Sequence, residues 1–217
     1  MITPFIPEEL FQVNENLKVE LIDDHIIIDN YYKNFEEIHT HLNNMPVPRW
    51  KWSENGGNFK DYYDCRPKIN TNFYSDIYVK DMTNLLSIIK NAFMEERNIF
   101  PMNADAYEFN YLKHINVPDN NLQFYPHKDF PYAGICYLDK ICSGGTAIYS
   151  EIDDLVNAES EYLFYDVADV DKKLIPAKPN RLVLFKADQM HGGYIEDHSK
   201  YKEDWRITQV LFFNYEQ

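Results

Sequence analysis

Cysteine is scarce in this chain, with three in 217 residues and no regular spacing. An odd, irregular set supplies neither a disulfide framework nor a zinc-ligand pattern, and it fits a reducing compartment. Cys136 and Cys142 flank a predicted strand end, where they read as packing residues. Long apolar runs are missing as well. None approaches the ~20 residues of a membrane-crossing helix, and no signal-peptide pattern opens the sequence, so a cytoplasmic location without a membrane partner is expected. Basic residues are outnumbered, 21 against 35 acidic, giving a formal charge of −14. That balance repels phosphate backbones and argues against broad nucleic-acid binding. Internal repeats and low-complexity tracts are absent.

What is present suffices for one core. A chain of this length that is 45% hydrophobic buries a substantial interior, and one domain spanning 1–217 is expected. Its first part, 1–105, reads as a support region containing two helices. Asn34 is placed to cap the first, with Phe35, Ile38 and Leu42 on one face and Glu37 where a capping-box acid belongs. Asp81 is placed to cap the second, whose Met82, Leu85, Leu86, Ile89 and Phe93 form an apolar stripe suited to packing on a sheet. Between them, 46–69 reads as a loop or short hairpin carrying Trp50, Trp52 and Arg66, side chains expected to cover the barrel.

The second part, 106–217, is β-rich. Candidate strands run over 106–112, 122–129, 133–138, 146–149, 173–175, 181–186, 191–195 and 206–213, with 151–170 an acidic insertion. Eight such strands suit a double-sheet jelly roll, and the predicted class is mainly β with flanking helices (α+β), the N-terminal helices packing on one sheet.

One tripeptide carries the chemistry. In an extended strand alternate side chains share a face, so His127 and Asp129 project together while Lys128 points away. His191, from a neighbouring strand, would complete two imidazoles and one carboxylate, the facial set that suits Fe(II) and leaves positions open for oxygen and a co-substrate. His39 and His41 stand two apart on a helix and do not share a face. His25, His114 and His198 fall near strand ends or in loops, and none of the five is expected to bind metal.

The order His127-Lys-Asp129, Ala133-Gly-Ile-Cys-Tyr-Leu138, Ser143-Gly-Gly-Thr146, Arg181-Leu-Val-Leu-Phe-Lys186, Gln189-Met-His-Gly-Gly193 and Arg206-Ile-Thr-Gln-Val-Leu-Phe-Phe213 resembles the catalytic core of the 2-oxoglutarate and Fe(II)-dependent oxygenases. It is most similar to their prolyl 4-hydroxylase-like branch. The segment His25 to Asn34 with the helix after it resembles the opening of oxygenase-like proteins of bacteriophages, for which the cytoplasm would be that of the host.

The resemblance implies that His127, Asp129 and His191 hold Fe(II), which chelates 2-oxoglutarate and binds O2. It implies that Arg206 pairs with the far carboxylate, with Tyr137 sharing it and Thr208 on the same inward face as Arg206, Val210 and Phe212. Tyr111 is the candidate for a second hydrogen bond near the metal end. The implied reaction splits 2-oxoglutarate to succinate and carbon dioxide while hydroxylating a peptidyl proline or a small molecule. The gap from His191 to Arg206 is longer than the family spacing, which leaves Lys200 or Lys202 as alternative carboxylate partners. Two further readings stand beside this one: a non-catalytic jelly-roll binding or structural module, and a cupin-like metal enzyme that does not use 2-oxoglutarate.

Overall fold

Each candidate strand between 106 and 213 corresponds to a strand or bridge in a computed structural model, which describes residues 8–44, 63–65, 76–102, 106–111, 122–124, 126–150, 164–167, 169–201 and 206–216. A short 3-10 helix (Glu8–Phe11) precedes the hairpin β1 (Val19–Ile22) and β2 (His25–Ile28), then helix α1 (Phe35–Asn43). Next come β3 (Tyr63–Cys65), α2 (Asp76–Phe93), β4 (Ile99–Pro101) and β5 (Ala106–Tyr111). The order continues with β6 (Leu122–Phe124), β7 (Tyr132–Tyr137), β8 (Gly145–Tyr149), β9 (Phe164–Asp166) and β10 (Lys172–Pro176). It closes with β11 (Arg181–Lys186), β12 (His191–Tyr194), a 3-10 turn (His198–Tyr201) and β13 (Arg206–Tyr215).

The large sheet has eight strands in the order β1-β2-β11-β7-β13-β5-β3, with β4 added beside β13. A smaller sheet runs β10-β8-β12, and β6 pairs with β9. Pairing is antiparallel throughout these sheets. The chain changes sheet between β7 and β8, and after β10 it passes between the small and large sheets at each step, from β10 to β11, β11 to β12 and β12 to β13. Two antiparallel sheets joined in this way are consistent with a jelly-roll oxygenase fold.

Period-two alternation assigns each residue of the large sheet to a layer. On β13, Ile207, Leu211 and Phe213 join Cys136, Leu138, Leu182 and Leu184 beneath the helices, where Ile38, Leu42, Met82, Leu85 and Ile89 meet them. The opposite face carries Tyr137, Val183 and Phe185, packed against Ile148 and Ile175 of the smaller sheet. The helix stripes are thus core, as expected.

The first helix starts as expected, after Asn34, but without the expected side-chain cap, and the second starts earlier than expected. Asn34 occupies the cap position and its carbonyl accepts the Glu37 and Ile38 amides at 3.1 and 2.9 Å, but its side chain makes no capping bond. Its φ of −105° and ψ of 39° lie outside the β-region geometry that aims a capping oxygen at the next turn, so the side-chain cap does not form. Glu36 and Glu37 still favour the positive end of the helix dipole. The second helix begins at Asp76 rather than after Asp81, because nothing in Asp76-Ile-Tyr-Val-Lys80 breaks a helix and an acid opens its first turn. The expected turn at Ser143-Gly-Gly holds one residue in the left-handed region, Gly144 at φ +81°. Cys136 is fully buried and burial raises its thiol, which agrees with a packing role. Most of 46–69 and of 151–170 lies outside the described residues, including Trp50, Trp52 and Arg66. The parts of those segments that are described include β3, which extends the large sheet beside β5, and β9. No described helix is long and apolar enough to cross a membrane.

The turn between β10 and β11 fastens the N-terminal region to the core. Asn180 adopts φ +58°; its side-chain oxygen accepts the Tyr32 amide at 2.9 Å and its side-chain nitrogen donates to the Tyr32 carbonyl at 2.8 Å. Its own amide donates to the Tyr137 carbonyl at 2.9 Å. Asn180→Ala orphans two buried backbone groups and strains the turn, so it is expected to destabilise the protein by about 2–4 kcal/mol in denaturant titrations. Asn180→Gly loses the same two bonds but not the φ, so it costs roughly 1 kcal/mol less; equal losses in the two variants would refute the conformational part.

Asp29 ties β2 to β11 through Arg181 at 2.6 and 3.1 Å and through Lys178 at 2.9 Å. The Arg181 bonds come first among the causes that lower its carboxyl from 3.8 to about 2, against partial burial. Because the folded value is depressed, the stabilisation is present above the unfolded pKa and is lost as pH falls from about 4 through 2. Asp29→Asn is expected to flatten the acid limb of a stability-against-pH curve in that window; a limb of unchanged slope would exclude Asp29 as a contributor.

Candidate metal centre

The strand predicted over 122–129 ends early. Pro126 has no N–H to offer a ladder, and β6 stops at Phe124. His127 is held instead by an isolated antiparallel bridge in which its amide donates to the His191 carbonyl and the His191 amide donates back, both at 2.9 Å. Two residues on, the Asp129 amide donates to the Ala187 carbonyl at 2.8 Å, and the Ala187 amide donates to the Pro131 carbonyl at 3.0 Å. The short 127–131 segment is thereby pinned between the end of β11 and the start of β12. The pairing of His127 and Asp129 on one side was read correctly, although strand pleating accounts for only part of it.

The three predicted ligands come together. Asp129 Oδ2 lies 3.3 Å from His127 Nε2 and 3.4 Å from His191 Nε2, and one donor atom from each residue falls within 4.8 Å of the others. No other group of three or more such side chains is found among the described residues, and His25, His39, His41 and His198 stand apart from it. His114 lies outside the described residues. His191 Nδ1 is 2.9 Å from the Gln189 carbonyl, to which it donates, and this leaves the Nε2 lone pair aimed at the cluster. The His191 ring stands edge-on to Phe185 at 5.0 Å and tilted against His127 at 4.7 Å. Its side chain is 6% exposed, against 41% for His127 and 26% for Asp129, so one flank of the cluster is walled and the other is open. Burial opposes the charge of Asp129, but hydrogen bonds and positive charge from the two imidazoles outweigh it and hold the carboxyl below the usual range. Two imidazole nitrogens and one carboxylate, fixed from behind and open in front, fit an Fe(II) ion with free coordination positions.

Arg206 begins β13 and is 6% exposed. Its guanidinium carbon sits 5.5 Å from the centre of the Phe124 ring. Thr208, on the same face, is paired in register with Tyr137 of β7. The Tyr137 hydroxyl lies 2.7 Å from Thr146 Oγ1. Burial raises the Tyr137 phenol to about 12, while the Thr146 bond and the Arg206 charge act in the opposite direction. The fold therefore gathers Arg206, Thr208 and Tyr137 on the inner face. Lys200 is exposed in the 3-10 turn and Lys202 lies outside the described residues. Tyr111 ends β5, with its side chain outside the described residues.

Two neighbours of Arg206 were not expected. A Cβ placed on Gly193 would lie 2.9 Å from Phe124 Cδ2 and 3.4 Å from Arg206 Nη2. Gly193 follows His191 by two residues on one strand, so both face inward, and that spacing was the available signal. Phe124 gave none, since its strand is short and ends at a break.

No family model matches the sequence, and no curated protein does. Solved structures are similar to it. An oxidoreductase of the 2OG-Fe(II) oxygenase family from Burkholderia pseudomallei is 9% identical, covering 88% of this chain and 84% of its own with a TM-score of 0.50. The non-heme α-ketoglutarate-dependent epimerase SnoN of nogalamycin biosynthesis is 9% identical over 89% of this chain and 77% of its own, TM-score 0.53. A prolyl-4-hydroxylase from Pseudomonas putida, 12% identical over 78% and 79%, reaches a TM-score of 0.42, too low to favour that branch. At these identities the likeness is one of fold alone.

Replacing His127, Asp129 or His191 by Ala is expected to weaken Fe(II) binding by more than about a hundredfold in anaerobic calorimetry, since loss of outer-shell partners alone costs 10–100-fold. Wild-type affinity retained in all three variants would place the metal elsewhere.

Proposed function

We propose that this chain is a 2-oxoglutarate- and Fe(II)-dependent dioxygenase, one oxygenase domain over 1–217 with a jelly-roll core over 106–217 and a support region over 1–105. The observation that carries the reading is the meeting of His127 Nε2, Asp129 Oδ2 and His191 Nε2 beside a buried arginine on the same inner face. A metal site alone would suit many reactions. Arg206, buried on that face, has the planar fork that binds a carboxylate through two charge-assisted bonds. From His191 to Gly193 the strand advances by about 7 Å, and Gly193 borders Arg206. A five-carbon dicarboxylate held at one end by a metal at the cluster would reach towards Arg206 over a distance of that order.

Each residue then has a task. His127, Asp129 and His191 would hold Fe(II), with Gln189 fixing the His191 tautomer through its carbonyl. Arg206 would bind the far carboxylate, Tyr137 and Thr208 would complete its hydrogen-bonding wall, and Tyr111 would serve the end nearer the metal. Bound together, the metal and 2-oxoglutarate would activate O2 and hydroxylate a C–H bond of a second substrate, a peptidyl proline or a small molecule, with release of succinate and carbon dioxide. Phe185 against His191 keeps water from the back of the centre, and the open flank of His127 and Asp129 gives the second substrate its approach. The gathering of Arg206, Thr208 and Tyr137 on the inner face that also carries His191 favours this reading over a non-catalytic module and over a cupin-like enzyme that does not use 2-oxoglutarate.

The test is an anaerobic titration of Fe(II)-loaded protein with 2-oxoglutarate, watching for the visible metal-to-ligand charge-transfer band. The band is expected in the wild type, absent in His191→Ala, and reached only at much higher 2-oxoglutarate concentration in Arg206→Ala. Folded, metal-loaded wild type that gives no band would overturn the proposal.

A further inference from the structure

Resting on that reading, we infer that Phe124 and Gly193 are positioning residues that fix the reach of Arg206, and through it set the chain length of the 2-oxo acid the site accepts. The argument starts at Gln123. This buried side chain takes the place of a strand partner: its oxygen accepts the Ile195 amide at 2.6 Å and its nitrogen donates to the Ile195 carbonyl at 2.8 Å. The bonds clamp β6 to the end of β12, and the next residue, Phe124, is thereby laid across Gly193.

The Phe124 ring then presents a surface to Arg206, 5.5 Å from the guanidinium carbon and within the range where a cation is attracted to an aromatic ring. Gly193 supplies the clearance. Any side chain there would meet the ring at 2.9 Å and Arg206 Nη2 at 3.4 Å, so ring and guanidinium occupy these positions because residue 193 has no Cβ. An arginine side chain has several rotatable bonds, and a buried one can settle at several depths unless something stops it. Here a clamped ring stops it on one side, and the backbone of β12, which also carries His191, bounds the space. The ring and the β12 backbone thus narrow the range over which the guanidinium can approach the three candidate ligands, and a dicarboxylate one carbon shorter or longer would fit that range less well.

Fixing a distance differs from supplying general support. A support residue, when lost, weakens every ligand in proportion, whereas a residue that fixes a distance changes the ratio between ligands of different length.

The experiment is anaerobic calorimetry on Co(II)-loaded protein with 2-oxo dicarboxylates of four, five and six carbons: oxaloacetate, 2-oxoglutarate and 2-oxoadipate. Wild type is expected to prefer the five-carbon acid by at least about tenfold, the scale of discrimination that one methylene allows. In Phe124→Ala and Gly193→Ala that preference should fall to about threefold or less, while Phe124→Tyr, which keeps a ring, should retain it. Thermal melts of each loaded variant confirm that folded protein is titrated, and Phe124→Tyr gives a second reading if the alanine variant does not fold. Variants that bind all three acids more weakly by one common factor, with the preference intact, overturn this inference and leave the proposed function standing. A wild type that binds none of the acids overturns both.

Discussion

The paired backbone bonds between His127 and His191 join two pieces of chain that would otherwise be independent. One piece follows a proline that ends β6, and the other opens β12 after the turn from β11. An antiparallel bridge of this kind sets the two Cα atoms side by side and their side chains on the same face. The imidazoles meet because the backbones do. Asp129 is then carried into position by its own amide bond to Ala187, so that the cluster is built by main-chain hydrogen bonds before any ion is considered. Such a site is preorganised: the entropy of gathering the donors is spent during folding rather than on binding.

The same economy explains why the large sheet serves two purposes. Alternation along β13 gives Arg206 and Thr208 to the inner face and Ile207, Leu211 and Phe213 to the helix layer. A single strand therefore supports both the polar wall of the site and the apolar seam that holds α2. A slip of one residue would exchange the two sets, placing a guanidinium in the helix layer and aliphatic side chains in the site. Burial of the apolar set fixes the register that the polar set requires.

Much of this was legible beforehand, for identifiable reasons. The strands over 133–138, 181–186 and 206–213 are apolar, β-branched or aromatic runs bounded by turn residues, and the stripes Ile38 with Leu42 and Met82 with Leu85 and Ile89 repeat at helical spacing. Periodicity of that sort survives translation into structure because one face must be buried. The meeting of His127, Asp129 and His191 was anticipated through residue type and order, which a metal site would constrain tightly. The start of α2 was missed because capping propensity is weak beside the packing of a whole helix. The Asn34 side-chain cap was expected and does not form, because it depends on two dihedral angles that no residue type determines. Phe124 escaped because its role comes from Gln123 gripping Ile195, a pairing of a side chain with a distant backbone that leaves no periodic trace.

The Tyr31-Tyr32 pair touches the molecule at points far apart along the chain. The Tyr31 amide donates to the Asn180 carbonyl, Tyr32 is gripped by the Asn180 side chain, and the Tyr32 hydroxyl donates to Gln209 on the last strand. On the ribosome, these two tyrosines emerge early and must wait for nearly the entire remaining sequence before their partners exist. The β7 strand waits equally, since one of its neighbours is β11 and the other is β13. A nascent chain stalled before residue 206 would lack β13, and with it one neighbour of β7, a main-chain partner of β5 and the inner-face Arg206 and Thr208.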